Sequence, residues 1–290
     1  MDVIENSYLR VEVHSAGAEL RSLYDKKQFR ELIWQRDLTF WDKSSPVLFP
    51  FIGELKDGNY RYDNETYQMP KHGFARNCEF EVVRRMDEEI SFLLQSNETT
   101  RQVYPFNFEL YLHYKLHHKR LSCTYEIRNS GNSDMLFSIG GHPAFQLDIK
   151  SGNDLSGYYF VFPDDHILKR YFIRDGLLHS QPAEQILEGS RLYLRNDMFL
   201  DDAWVLKDLQ STEVYLKNKS GDYQIKLDFA GFPYLGLWAP VGAPFVCLEP
   251  WGGVNDLEAH GGVLEKKEGV ERLAAFSDRK KTWGVTVGEN

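Results

Sequence analysis

The chain has 290 residues, 34 of them basic and 43 acidic, for a net charge of -9, and apolar residues make up 42%. An acidic chain without a dense Lys/Arg run excludes nucleic acid as the expected partner. No apolar stretch approaches the roughly 20 residues that cross a bilayer. The first residues, MDVIENSYLRVEV, lack the basic and apolar halves of a secretion signal. The three cysteines, Cys78, Cys123 and Cys247, are odd in number and widely spaced, which fits a reducing cytoplasm. The length suits one large all-β domain over residues 1–290. Aromatics reach 14%, either as core or as platforms for stacking a sugar.

Taken in chain order, the predicted elements are strands. Candidates run over Leu9–Val13, Glu79–Arg84 and Glu89–Gln95. From Phe108 to Leu116 the even positions are apolar and the odd ones include Glu109, His113 and Lys115. Leu121–Arg128 alternates in the same way, and Asn129–Ser133 reads as a turn. A short run at Met135–Phe137 follows, then Tyr158–Phe162, Trp204–Leu206, Glu213–Lys217, Tyr223–Phe229, Tyr234–Trp238 and Phe245–Leu248. Period-2 alternation with Gly, Asn, Asp or Pro between segments predicts an antiparallel sandwich, each strand burying one face. No long 3.6-residue periodicity, phosphate loop or repeat is present.

His113 and His117 have the spacing of a helical metal pair, with His118 adjacent. The alternation around them says strand, so they are expected on a solvated face beside Lys115. His166, His179 and His260 have no recognisable context. His72 lies between Pro70 and Gly73, where the backbone turns, with Phe74 as an apolar anchor and Arg76 as a nearby cation. It is either a hydrogen-bond donor to a ligand or a buried histidine satisfied by backbone. His142 follows Gly140-Gly141 and precedes Pro143. The glycines suit unusual backbone geometry or the close approach of a ligand, and the alternative is a structural turn histidine. Glu249 shares a strand face with Phe245 and Cys247. In apolar surroundings its carboxylate would be desolvated and a better base; the alternative is an edge glutamate paired with a cation. Asp201-Asp202 precedes the Trp204 strand and reads as a turn.

These motifs resemble the aldose 1-epimerases (galactose mutarotases), in particular the LacX-like branch. The resemblance runs through Tyr8–Val13, Gly17–Leu23, Pro46–Gly53, His72–Arg76, Gly141–Phe145, Leu235–Trp238 and Leu248–Trp251, and so covers nearly the whole chain. It implies a large antiparallel β-supersandwich and exchange between the α and β anomers of a free aldohexose such as glucose or galactose. By the resemblance, Glu249 is the general base, His142 the general acid, and His72 binds near the ring oxygen. Asp202 corresponds to the family's sugar-binding aspartate, with Asp201 as the fallback. From residue type and position, Trp238 or Trp251 is expected to pack on the apolar face of the sugar ring. Many relatives carry a basic residue after the glycine corresponding to Gly53. Here it is Glu54, leaving Lys56 and Arg76 as candidate hydroxyl-binding cations. The chemistry implies no metal and no cofactor, and the partner is a small sugar. Two other readings stand beside it. A hexose 6-phosphate epimerase would gather cations from among Lys43, Lys56 and Arg76 at the pocket rim. A protein that binds sugar without catalysis would keep the fold alone. A retaining glycosidase fits poorly, since it needs two carboxylates about 5 Å apart.

Overall fold

The computed structural model describes residues 1–149 and 154–288. Two large antiparallel sheets carry the architecture. The first has nine strands, in the order Arg191–Tyr193, Tyr158–Val161, Glu213–Asn218, Gln224–Asp228, Asp278–Val287, Arg120–Asn129, Phe108–His117, Glu89–Gln95 and Glu81–Arg85. The second has eight strands and is centred on Tyr234–Trp238 and Phe245–Trp251. A four-stranded sheet, Asp2–Glu5 through Arg30–Glu31, lies at the N-terminal end. This is the expected galactose mutarotase-type supersandwich.

Alternation explains how the sheets join. In the first, Leu110, Leu112, Tyr114, Leu121, Cys123, Tyr125, Ile225 and Val285 point inward. In the second, Leu235, Leu237, Val246 and Leu248 point inward, and all belong to one continuous core. The predicted strands are present within a residue or two of their expected ends, except that Phe245–Leu248 runs three residues further, to Trp251; Glu89–Gln95, Met135–Phe137 and Tyr234–Trp238 match residue for residue. His113 and His117 stand on the outer side of their strand, as expected, with His113 bonded through Nδ1 to Ser91 at 2.8 Å. The sole α-helix among the described residues is Glu98–Val103, started by the Asn97 side chain, which accepts from the Thr100 N–H at 2.9 Å. No helix among them is long and apolar enough to cross a membrane.

The strand Asp278–Val287, absent from the sequence reading, inserts between Arg120–Asn129 and Gln224–Asp228 in the nine-stranded sheet. Its first half, Asp-Arg-Lys-Lys-Thr, is exposed or half-buried and so lacks the apolar alternation that marks a strand. The short strands Val47–Leu48, Gly140–Gly141 and Ala144–Gln146 also carry too little pattern to be read.

The same alternation places the functional face. On Phe245–Trp251 the even residues Val246 and Leu248 enter the main core. The odd residues Phe245, Cys247, Glu249 and Trp251 turn to the opposite face, where smaller apolar clusters surround them. Gly236 is the register partner of Glu249, and Ala144 and Trp238 are those of Cys247. A carboxylate is therefore carried on a central strand, paired through Gly236 on one side and flanked on the other by the His142 segment, whose Pro143 carbonyl accepts the Leu248 N–H at 3.2 Å.

Candidate active site

A cavity of about 380 Å³ opens on that face, bounded by Trp41, Lys71, His72, His142, Asp202, Trp238 and Glu249 among others. His142, Glu249 and His72 are all buried in its wall, Glu249 with 1% of its surface exposed. His142 Nε2 stands 3.1 Å from Glu249 Oε2. Neither Glu249 oxygen nor His142 Nδ1 has a hydrogen-bond partner among the described residues. The pair is thus poised against each other, with spare bonding capacity.

Gly140-Gly141 brings His142 here for a reason different from the one expected. Neither glycine has a positive φ. A Cβ on Gly140 would stand 2.8 Å from the Pro250 carbonyl oxygen, and one on Gly141 2.7 Å from the Tyr125 hydroxyl. The glycines therefore admit neighbouring protein, which draws the His142 segment tightly against the strand bearing Glu249. On the other side, the His142 N–H donates to the Pro46 carbonyl at 3.2 Å.

His72 is fixed by both of its ends. Its backbone N–H donates to the Gly53 carbonyl at 2.8 Å, and its ring Nδ1 accepts the Gly53 N–H at 3.1 Å. An Nδ1 that accepts leaves the proton of the neutral ring on Nε2, free to donate. His72 is thus both of the things the sequence left open, a histidine satisfied by backbone and a potential donor. Its ring meets that of His142 edge-on, with centroids 5.7 Å apart. The turn depends on Gly73, which has φ +73° and whose Cβ, if present, would lie 2.1 Å from the Phe49 carbonyl oxygen. Gly73→Ala is expected to destabilise the fold by about 3 kcal/mol or more, combining left-handed strain with a backbone clash. Urea unfolding measures this, and a loss under about 1 kcal/mol would show that the turn relaxes without cost.

Burial dominates the electrostatics. It drives the Glu249 carboxyl well above its ordinary range, while the Trp251 N–H and the Lys71 cation pull weakly the other way. It pushes His142 down to about 3, assisted by the Arg76 and Lys71 charges. His72 is also held well below its ordinary range, again mainly by burial and then by His142 and Arg76. Burial therefore favours the uncharged forms of both groups, a carboxylic acid beside a neutral imidazole. That proton count equals the count for a carboxylate beside an imidazolium, so a polar ligand can turn one form into the other without exchange with solvent.

Other expected residues divide clearly. Asp202, Arg76, Trp238 and Trp251 line the cavity. Asp202 has φ 72° and its Oδ1 accepts the Ala203 N–H at 2.7 Å, which leaves Oδ2 available. Asp201 is exposed and outside the lining. Lys56 is not brought to the cavity: its Nζ donates to the Glu258 carbonyl at 2.6 Å, and its N–H is taken by Asp256 Oδ2. A short 3-10 turn at Lys56–Gly58 carries it away. Lys43 is outside the lining too. Glu54 leans toward Gly176 and does not line the cavity either.

The sequence reading passed over Trp41, Phe40, Lys71 and Asn255. Trp41 lies over the His142 ring, with centroids 4.7 Å apart and planes at 33°, and meets Trp238 edge-on at 5.6 Å. Its carbonyl accepts the Trp34 indole N–H at 2.9 Å, which ties its loop to the sheet. Glu19 braces the next residues by accepting the Ser44 N–H at 2.6 Å. The available signal was an aromatic pair, Phe40-Trp41, set in the polar stretch Gln35–Ser45. Asn255 is buried, its Nδ2 donating to the Gly176 carbonyl at 2.7 Å. The neighbouring Asp256 is anchored by the buried Lys267 ammonium at 2.8 Å.

Comparison with known proteins converges on one family. The model of the aldose 1-epimerase family matches residues 3–263. The plasmid-borne protein LacX of Lactococcus lactis subsp. lactis is 30% identical, over 98% of this chain and 98% of its own. The structure of a galactose mutarotase related enzyme from Lactobacillus acidophilus aligns with a TM-score of 0.93 at 32% identity, covering 99% of this chain and 97% of that one. A galactose mutarotase-like protein from Lactobacillus casei aligns at 0.92 and 32%, covering 99% and 100%.

Proposed function

The chain belongs to the aldose 1-epimerase family, and on that premise we propose that it interconverts the α and β anomers of a free aldohexose, with Glu249 as base and His142 as acid. The observation that carries this reading is the buried carboxylate and imidazole 3.1 Å apart in the wall of a cavity lined by indole rings.

In the forward half-reaction Glu249 takes the proton from the anomeric hydroxyl. The O–H electron pair becomes the second bond of a C1 carbonyl, the bond from C1 to the ring oxygen breaks, and that oxygen takes a proton from His142. Rotation about C1–C2 presents the other face of the aldehyde, and the reverse transfers close the ring. Each group thus ends where it began after one cycle. Sugar hydroxyls entering between the pair supply the polarity that burial withholds, so the carboxylate and imidazolium forms become accessible. The Trp41 face favours the charged imidazole. His72 donates from Nε2 to the ring oxygen, and Asp202 accepts from a hydroxyl. Trp238 and Trp41 cover the apolar face of the ring and exclude water.

A hexose 6-phosphate is the second reading, favoured by one observation: Lys71 and Arg76 both line the cavity, and the Arg76 Nε is buried without a partner among the described residues. Polarimetry on fresh α-D-glucose and α-D-galactose, with exchange NMR on glucose 6-phosphate, separates the readings. Accelerated mutarotation of a neutral sugar is the expected result. Acceleration of the phosphate alone would shift the substrate class, and none with any of the three would leave a sugar-binding protein.

A further inference from the structure

The mechanism above makes no use of Cys247, yet its thiol is buried beside both reacting groups. We propose that His142, Cys247 and Glu249 form a site for a thiophilic divalent cation such as Zn²⁺, and that the bound ion closes the cavity to sugar. One ligand atom from each of the three lies within 4.8 Å of the others. Bonds of about 2.3 Å to sulfur and 2.0–2.2 Å to nitrogen and oxygen place the donors of a tetrahedral ion roughly 3.3–3.8 Å apart. The His142 Nε2 to Glu249 Oε2 separation of 3.1 Å is already near that spacing. Bringing the sulfur in takes a shift of about 1 Å, within reach of a side-chain rotation.

The fold makes this set rigid. Cys247 and Glu249 are alternate residues of one strand, so they project side by side, and Ala144 pairs with Cys247 across the sheet, two residues after His142. All three residues are buried. Both Glu249 oxygens and His142 Nδ1 lack partners among the described residues, so the site has bonding capacity that the protein leaves unused. Sulfur, nitrogen and oxygen together suit Zn²⁺, Cd²⁺ or Co²⁺ and not Mg²⁺ or Ca²⁺, which take oxygen. Charge balances as well. On binding, the thiol and carboxyl release their protons to solvent, and a thiolate, a carboxylate and a neutral imidazole around a divalent ion sum to zero. A neutral assembly is what a buried site tolerates. Cys247 lies outside the cavity lining, whereas His142 and Glu249 form part of it. An ion bound to all three leaves its fourth position toward the cavity and removes from proton transfer the two groups that the proposed reaction uses. The loss of turnover rests on the proposed epimerase reading; the binding does not.

Co²⁺ titration of the whole metal-stripped protein tests the site without reference to activity. The expected result is one equivalent bound, with a thiolate-to-metal charge-transfer band in the near ultraviolet and tetrahedral bands in the visible. Both disappear in Cys247→Ala, and Zn²⁺ affinity by calorimetry falls at least roughly 100-fold. Cys247→Ser, which keeps the volume, gives the same result should the alanine variant fold poorly. Zn²⁺ abolishes mutarotation in the wild type, while Cys247→Ala turns over within about threefold of wild type and resists the ion. No thiolate band, or unchanged Zn²⁺ affinity in both variants, overturns the site. Binding without competition, read by sugar displacement in ligand-observed NMR even if no turnover exists, overturns the closure.

Discussion

Glu249→Gln is expected to lower kcat for mutarotation by about 10³- to 10⁴-fold, near the upper end of what a general base contributes. The amide keeps the shape of the carboxyl and cannot take a proton, so sugar affinity should stay within about fivefold. Polarimetry gives the rate and ligand-observed NMR the affinity. A variant that retains a tenth of wild-type turnover would remove Glu249 from the reaction. The same substitution has a stability signature of opposite sign. Burial raises the folded-state proton affinity of Glu249 above its ordinary value of 4.5. Its favourable contribution is therefore present in full below pH 4.5 and is lost as pH rises through the folded value. Gln cannot ionise, so the variant should be more stable than wild type at neutral pH, and the gain should vanish toward pH 4.5. A site that gains stability when it loses its base is one whose chemistry is held against the preference of the fold.

His142→Asn is expected to reduce kcat by about 10²- to 10³-fold through loss of the proton delivered to the ring oxygen. A smaller effect than for Glu249 is expected because a bound water, or His72, which also lines the cavity, can protonate a departing alkoxide less well. Unchanged rates would leave the acid to be sought elsewhere, with His72 the first alternative. Here too stability follows pH. The folded-state value of about 3 lies below the ordinary 6.5. The unfolded chain thus binds the extra proton first, and wild type loses stability from this group as pH falls from 6.5 toward 3. Thermal melts across that range should fall less steeply for the Asn variant, and parallel curves would show that His142 is not the buried neutral group described above.

Much of the fold was legible because a strand with one wet face writes its period directly into the chain. The run Phe108–Leu116 and its partner Leu121–Arg128 pair residue for residue in the structure, and each could be read alone. Asp278–Val287 could not, because its first half meets solvent on both faces and its residues carry no alternation. Phe245–Trp251 was legible only in part: it is buried on both faces, so apolar residues do not separate one side from the other. What distinguished its sides was the single carboxylate at 249.

At the site, residue type and local turn chemistry were enough to single out His72, His142 and Glu249 as candidates, since Gly, Pro and a lone acidic residue in an apolar run are local signals. The likeness of motifs to a family added the roles. Distance along the chain then set the limit. Trp41 stands over His142 across about a hundred residues of sequence, and nothing near Trp41 records what it covers. Lys56 sits two residues from the expected basic position, yet one short turn sends its ammonium to the Glu258 carbonyl, and Lys71 lines the cavity in its place. The sequence by itself determined the strands that alternate, their inward faces and the candidates for the proposed chemistry, because each follows from the period of a strand and the chemistry of a side chain. Only the tertiary structure decided which cations and indoles meet them, and which proton each holds. Those depend on burial and on contacts between segments that no local pattern encodes.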